Sequence, residues 1–281
     1  DGNEEVPNSL HAYHEQLIDR LGIGDLKAIL TPLAATLAVA HEPLAEHELV
    51  TFMQLRKLIT ADDAGEKLIR EGLAALAPML RRAPDPEGED GFTLFHASLR
   101  DHMLSTPAMT QSIATARAAF AEAVLNPENY PNIANYLYRA GVGHLLELDE
   151  IEAARVRLLD LSVLQSMFAL GKENQHILQY WLRIGDQNVA DHYAKAAKAF
   201  VLPGLQESDL EFLRNVVDLC NFAGWYLAGS EVARESLVLH EQMLGGEHPD
   251  TLTSVNNLSD VLRGKGDYDS AETLYRRALE A

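Results

Sequence analysis

The sequence predicts an almost entirely helical protein that ends in a stacked array of helical hairpins, and three observations lead there. The first is self-similarity at a spacing of 42 residues: Asn215 pairs with Asn257, Asp218 with Asp260, Gly224 with Gly266, Tyr226 with Tyr268 and Arg234 with Arg276. Val216, Leu219 and Cys220 pair in the same register with Leu258, Val261 and Leu262. A fixed period of this size marks units that each bury an apolar face against the next. The second observation is helical periodicity over nearly every other segment, built from Ala, Leu and Glu with few β-branched clusters. The third is a single interruption between Met79 and Phe95, where turn-forming residues separate two short strand-like runs.

Taken in order, helices are expected from Asp25 to Ala40, from Leu44 to Leu55 behind Glu42-Pro43, and from Ala64 to Leu80, where Pro78 suits a terminus. Met79-Leu80-Arg81-Arg82, the loop from Pro84 to Gly91 and Phe92-Thr93-Leu94-Phe95 then read as a small β-hairpin, followed by a helix from about His96 to Leu104. Helices feeding a two-stranded wing make a winged-helix module, placed at residues 23–106. Such modules often read DNA through a basic helix. Here the helix before the wing carries Glu66, Lys67, Arg70 and Glu71, a mixed face that favours a protein or nucleotide neighbour.

Successive amphipathic helices follow over Met109 to Leu125, Ile133 to Leu146, Glu150 to Leu161, Val163 to Leu170, Asn174 to Ile184 and Asn188 to Phe200. Connections as short as Gly171-Lys172 and Gly185-Asp186 imply antiparallel neighbours. Gly185-Asp186 with Ala190 and Ala197 echoes Gly266-Asp267 with Ala271 and Ala278, so residues 107–204 read as a degenerate helical-repeat region and 205–281 as the regular array. Residues 1–22 are left as the end of something upstream. The first residue is not Met and the last falls inside a repeat, from which the sequence is expected to be a piece of a larger protein.

The net charge is −19, from 23 Lys and Arg against 42 Asp and Glu. That balance opposes phosphate backbones and anionic membranes, so neither nucleic acid nor membrane is an expected partner. The longest apolar stretch, Leu26 to Ala40, is broken by Lys27, Thr31 and Pro32 and falls short of the roughly 18 residues a span requires. A lone cysteine, Cys220, excludes an internal disulfide and fits a reducing, cytoplasmic setting; its register with Leu262 makes it a packed helix residue rather than a reactive thiol.

Motifs for chemistry are missing. The sequence has no Gly-x-x-x-x-Gly-Lys-Ser/Thr phosphate loop and no Gly-x-Ser-x-Gly elbow. His11 with His14, and His41 and His47 with Glu42 and Glu46, lack the His-Glu-x-x-His spacing that would put two imidazoles on one helix face, so no metal site is expected. The expected protein is not an enzyme.

Two resemblances refine this reading. Leu258-Ser259, Leu262, Ala271, Tyr275 and Ala278 stand at the signature positions of a tetratricopeptide repeat, and the lead-in from Leu244 to Leu252 with its Gly245-Gly246-Glu247-His248-Pro249 is similar to repeats of the kinesin light chain type. In the preceding unit Gly229 and Ala233 replace the alanine and the aromatic. Further forward, Leu37-Ala38-Val39-Ala40-His41-Glu42-Pro43-Leu44 and Leu94-Phe95-His96-Ala97-Ser98-Leu99-Arg100-Asp101-His102-Met103-Leu104 resemble the winged-helix region of STAND signalling ATPases, NACHT-type proteins among them. Tyr13 to Leu21 resembles the last helix of the ATPase lid, and residues 130–170 the stretch that joins the two parts. The resemblance implies an upstream nucleotide-binding module acting in cis, with ADP or ATP as its cofactor and none in this piece. It also implies a role for His96, which lines up with a histidine that reaches the ADP diphosphate in relatives; here Phe95 and Ala97 replace its flanking Met and Asp. A helix-start histidine satisfied by a backbone partner is the other reading of His96.

In tetratricopeptide repeats the first helix of each pair lines the concave groove. That places Arg214, Asn215, Asp218 and Asn221 in one unit, and Thr253, Asn256, Asn257, Asp260 and Arg263 in the next, as candidate peptide-binding residues. Asparagine amides both donate and accept, and the arginines would address acidic groups. The expected function is protein or peptide sensing within a signalling ATPase, relayed through the winged helix. A winged-helix transcription regulator with a repeat sensor and a passive repeat scaffold stand as alternatives.

Overall fold

A computed structural model describes residues 10–21, 26–84, 90–186, 188–200 and 207–280. The chain divides into two compact units, Asp1–Asp149 and Glu150–Ala281. The division falls at neither 106 nor 204, because the helix that follows the hairpin region packs back on the helices before it.

The first unit contains α1 (Leu10–Leu21), α2 (Lys27–Val39), α3 (Glu46–Leu55), α4 (Asp63–Ala75), β1 (Leu80–Pro84), β2 (Asp90–Leu94), α5 (Ala97–Ser105), α6 (Thr110–Leu125) and α7 (Ala134–Glu147). The strands pair antiparallel with Leu80 opposite Leu94 and Pro84 opposite Asp90. The tip at 85–89, within the expected turn, lies outside the described residues, as do residues 1–9 and 22–25 of the expected amino-terminal segments. Helix α4 stops at Ala75, short of the expected Leu80, since Pro78 opens a 3₁₀ turn over Ala77–Met79 and releases Leu80 into the sheet. One pairing is not foreseen by the sequence: Leu44 bridges Phe92, with both backbone hydrogen bonds formed. Gly91 permits it, because a Cβ there would stand 2.9 Å from Cβ of Pro43.

Helix α2 is the axis of this unit. Leu33, Ala34, Ala35 and Ala38 are fully buried on it, and small residues let α6 approach closely. Phe52 of α3 and Phe120 of α6 lie 4.1 Å apart between ring centroids, with Tyr136 of α7 edge-on to Phe52. Each such side chain contributes about 1.5–3 kcal/mol by burial. Charges are taken inside as well. Glu48 accepts the Ala45 N–H at the start of α3 and meets Nη2 of Arg139 at 3.2 Å, with both side chains nearly inaccessible to solvent. Arg56 donates to the Pro32 carbonyl and Thr36 of α2, and to the Ser112 carbonyl and Thr115 of α6. Burial brings its guanidinium down to about 10, still charged at neutral pH.

The second unit contains α8 (Ile151–Leu159), α9 (Leu161–Ala169), α10 (Asn174–Ile184), α11 (Val189–Phe200), α12 (Glu207–Phe222), α13 (Tyr226–Leu244), α14 (Pro249–Lys265) and α15 (Tyr268–Glu280). Helix α9 begins two residues earlier than expected because Asp160 caps it, accepting from the N–H groups of Ser162 and Val163. Gly185, Gly224 and Gly266 end α10, α12 and α14 in the left-handed conformation that suits glycine. Successive helices pack as neighbours, α12 on α13, α13 on α14 and α14 on α15, and α12 also meets α14. Inside the earlier hairpins, Trp181 donates to the Tyr193 hydroxyl, which donates to the Leu158 carbonyl. The described residues are therefore mainly helical, with one two-stranded hairpin and a helical-hairpin solenoid among them. No described helix is long and apolar enough to cross a membrane.

Candidate functional site

The 42-residue spacing becomes geometry at the junction of α12, α13 and α14. Gly229 and Ala271 hold equivalent places, where the second helix of a hairpin comes nearest its neighbours. A Cβ on Gly229 would stand 2.9 Å from Cβ of Cys220 and 3.4 Å from Val261, so even the alanine of the usual pattern is too large there. Gly264 provides a second close approach, with the ring of Tyr226 lying where its Cβ would be. Cys220 is fully buried, and burial pushes its thiol up to about 12, which leaves it inert.

These approaches set α12 and α14 side by side, and the candidate residues fall along their shared polar face. Nδ2 of Asn257 donates to Oδ1 of Asp218 at 3.3 Å across the two helices. Arg214 reaches Oδ1 of Asp250 at 3.4 Å, linking α12 to the start of α14. Asp260 accepts from the Tyr275 hydroxyl at 2.5 Å and from Nη2 of Arg263 at 2.9 Å. Desolvation raises the Asp218 carboxyl above its usual range, Arg214 opposes that, and Asp260 adds to it. Asn256 and Arg263 are exposed, Asn215 and Asn221 half-buried, and Thr253 turns its hydroxyl to the Pro249 carbonyl of its own helix.

The face thus alternates carboxylate, amide and guanidinium over two adjacent helices. Its donors and acceptors suit an extended backbone, which presents both at every residue. Asn257 has one of its two amide N–H groups engaged with Asp218, which leaves the other N–H and the carbonyl oxygen for a partner's backbone. No convergent nucleophile and base occupy this face.

His96 lies elsewhere, in the first unit. It is the N-cap of α5, its Nδ1 accepting from the Ser98 N–H at 3.1 Å with the Ser98 hydroxyl at 2.6 Å. The ring is exposed and does not belong to the core. A different cluster went unseen in the sequence: His41 has His144 and Glu147 of α7 beside it. The spacing of His144 and Glu147, three apart on one helix, was the available sign, but their partner lies far back along the chain.

Residues 210–281 match the tetratricopeptide repeat family. Among curated proteins none matches. Among solved structures, the crystal structure of the Podosopora anserina kinesin light chain nearly identical TPR-like repeats is similar at 17% identity, over 84% of this chain and 92% of that one, with a TM-score of 0.33. A point variant of the same protein gives the same values. So loose a superposition carries nothing further, and the repeat assignment rests on the match over 210–281 and on the helices themselves.

Proposed function

We propose that this chain is a non-catalytic, partner-binding module whose α12–α14 face takes an extended segment of another protein. The observation that carries the proposal is the cross-helix pair of Asn257 and Asp218, flanked by Arg214 and Arg263: polar groups held in register on two repeats and open to solvent on one side. The residues contributing to it are the ones whose counterparts line the groove in tetratricopeptide repeats. Selection of peptides against the chain from a random display library tests this. Peptides so obtained are expected to lose at least tenfold in affinity for Arg214→Ala and for Asn257→Ala; selected peptides that bind both variants unchanged would remove the face as the site.

The finer part of the proposal is that the array senses a trigger for a STAND-type signalling ATPase, in a cytoplasmic setting, and passes the signal to an upstream nucleotide-binding module. Supporting it is the order in the first unit of α2, the Leu44 bridge, α3, α4, β1 and β2, which is the order of a winged helix. The resemblance around His96 adds to this, and the exposed His96 ring is available to a diphosphate. In such a parent, His96→Ala is expected to raise resting activity by loosening the ADP-bound closed state. A passive scaffold would be indifferent to the change. Calorimetry of the chain alone with ADP and ATP is expected to show no micromolar binding.

A further inference from the structure

At its end α2 gives way to Ala40, whose extended backbone turns His41 toward α7. The two meet at Gly143: a Cβ there would stand 2.7 Å from Nδ1 of His41 and 3.2 Å from its Cε1. The His41 and His144 rings lie 4.2 Å apart between centroids, and Oε2 of Glu147 is 3.1 Å from Nε2 of His41. One donor atom from each of His41, His144 and Glu147 lies within 4.8 Å of the others.

We propose that His41, His144 and Glu147 form a binding site for a divalent transition-metal ion, zinc by preference. Two imidazoles and one carboxylate are a recurrent zinc donor set, with a fourth position left for water or an incoming group. The gap between Nε2 of His41 and Oε2 of Glu147 is close to the roughly 3.3 Å edge expected between two ligands each about 2.0–2.1 Å from one ion. Nε2 of His41 is buried and, though 3.1 Å from Oε2 of Glu147, is not in hydrogen-bond geometry with it, an arrangement that a shared cation would satisfy. The three donor atoms lie within 4.8 Å of one another, so the third ligand must close by up to about 1.5 Å to reach the same edge.

The surroundings favour the ligating forms. The Tyr136 hydroxyl lies 2.8 Å from Nε2 of His144 and accepts the His41 backbone N–H at 3.3 Å, orienting both histidines at once. That contact engages Nε2 of His144, so Nδ1 is the ring nitrogen that would ligate, in the tautomer that carries its proton on Nε2. Glu147 is the last residue of α7. Its carboxylate is half open to solvent, giving an ion a way in. Arg100, which donates to the Ala38 carbonyl at 2.8 Å, opposes a cation. A bound ion would tie the end of α2 to the last turn of α7 and stabilise the first unit by mass action.

The chain, stripped with EDTA, is titrated with zinc chloride by calorimetry and with cobalt(II) chloride by visible absorption. One equivalent is expected, with cobalt d–d bands of a low-coordinate nitrogen and oxygen site. Glu147→Gln, on the half-exposed end of α7, is expected to weaken zinc at least tenfold and to abolish the bands. Gly143→Ala removes no ligand but crowds His41 and is expected to weaken both. Zinc binding unchanged in Glu147→Gln would place the ion on other histidines and overturn the proposal, as would the absence of cobalt bands at saturation. His41→Ala, a loop change outside the helices, repeats the measurement independently of the α7 variants.

Discussion

The two units solve the same problem, packing helices against helices, with different materials. In the first, side chains far apart in sequence are joined by charge and hydrogen bonds: Arg139 to Glu48 across 91 residues, Arg56 to Ser112 across 56, Arg100 to Ala38 across 62. The second relies on small residues recurring at a fixed spacing and on glycines that end its helices, so each of the last four helices chiefly meets its neighbours in sequence. A core closed by specific polar ties should fail abruptly when one tie is cut. A stack of similar contacts should lose stability in proportion to the damage at one interface.

The widest separation between the units is expected from Arg139→Met. It leaves Glu48 buried without its cation, and loss of one member of a buried pair costs about 3–5 kcal/mol. Thermal unfolding should show the first unit melting earlier while the repeats keep their transition. Adding Glu48→Leu should recover part of the loss; no recovery would mean that packing, rather than the stranded carboxylate, set the cost.

Next in size is Gly229→Val, which drives a branched side chain into Cys220 and Val261. Overpacking of this kind costs about 1–3 kcal/mol. Urea unfolding followed at Trp225, four residues away and at the head of α13, should report a lower midpoint, with the Arg56 network untouched.

The smallest effect is expected at Asp160, whose loss as an N-cap costs about 1 kcal/mol. Desolvation works against its ionised form, but hydrogen bonds from Ser162 and Val163 outweigh it and hold the carboxyl below its usual range. A depressed carboxyl stabilises the fold above its unfolded value and loses that contribution as pH falls through the folded one. Asp160→Ala and the parent should therefore differ at neutral pH and converge below about pH 3 to 4, the lower edge of the carboxylate range. A difference that persists in acid would assign the effect to helix propensity.

What the sequence could disclose follows the same divide. The array was readable because its contacts repeat: the glycines at 224 and 266 and the apolar pairs around Cys220 announce themselves by spacing. The hairpin was readable from Pro84 to Gly91, though not the Leu44 bridge, a pairing of single residues with no alternating pattern behind it. The residues of α12 and α14 could be placed on one helix face from their spacing, yet the engagement of Asn257 with Asp218 depends on how closely two helices approach, and Gly229 contributes to that distance. His41 was weighed against His47, its neighbour in sequence, whereas its companions on α7 are brought to it by the fold of the whole unit.

Gly229 carries a consequence beyond stability. At this position the chain gives up its side chain to bring α13 against Cys220 of α12 and Val261 of α14. The separation of these three helices is thereby written in side-chain volume at one residue. A single added methyl would push them apart locally, and a ligand bridging two hairpins would meet a changed span even where every group that touches it had been left in place.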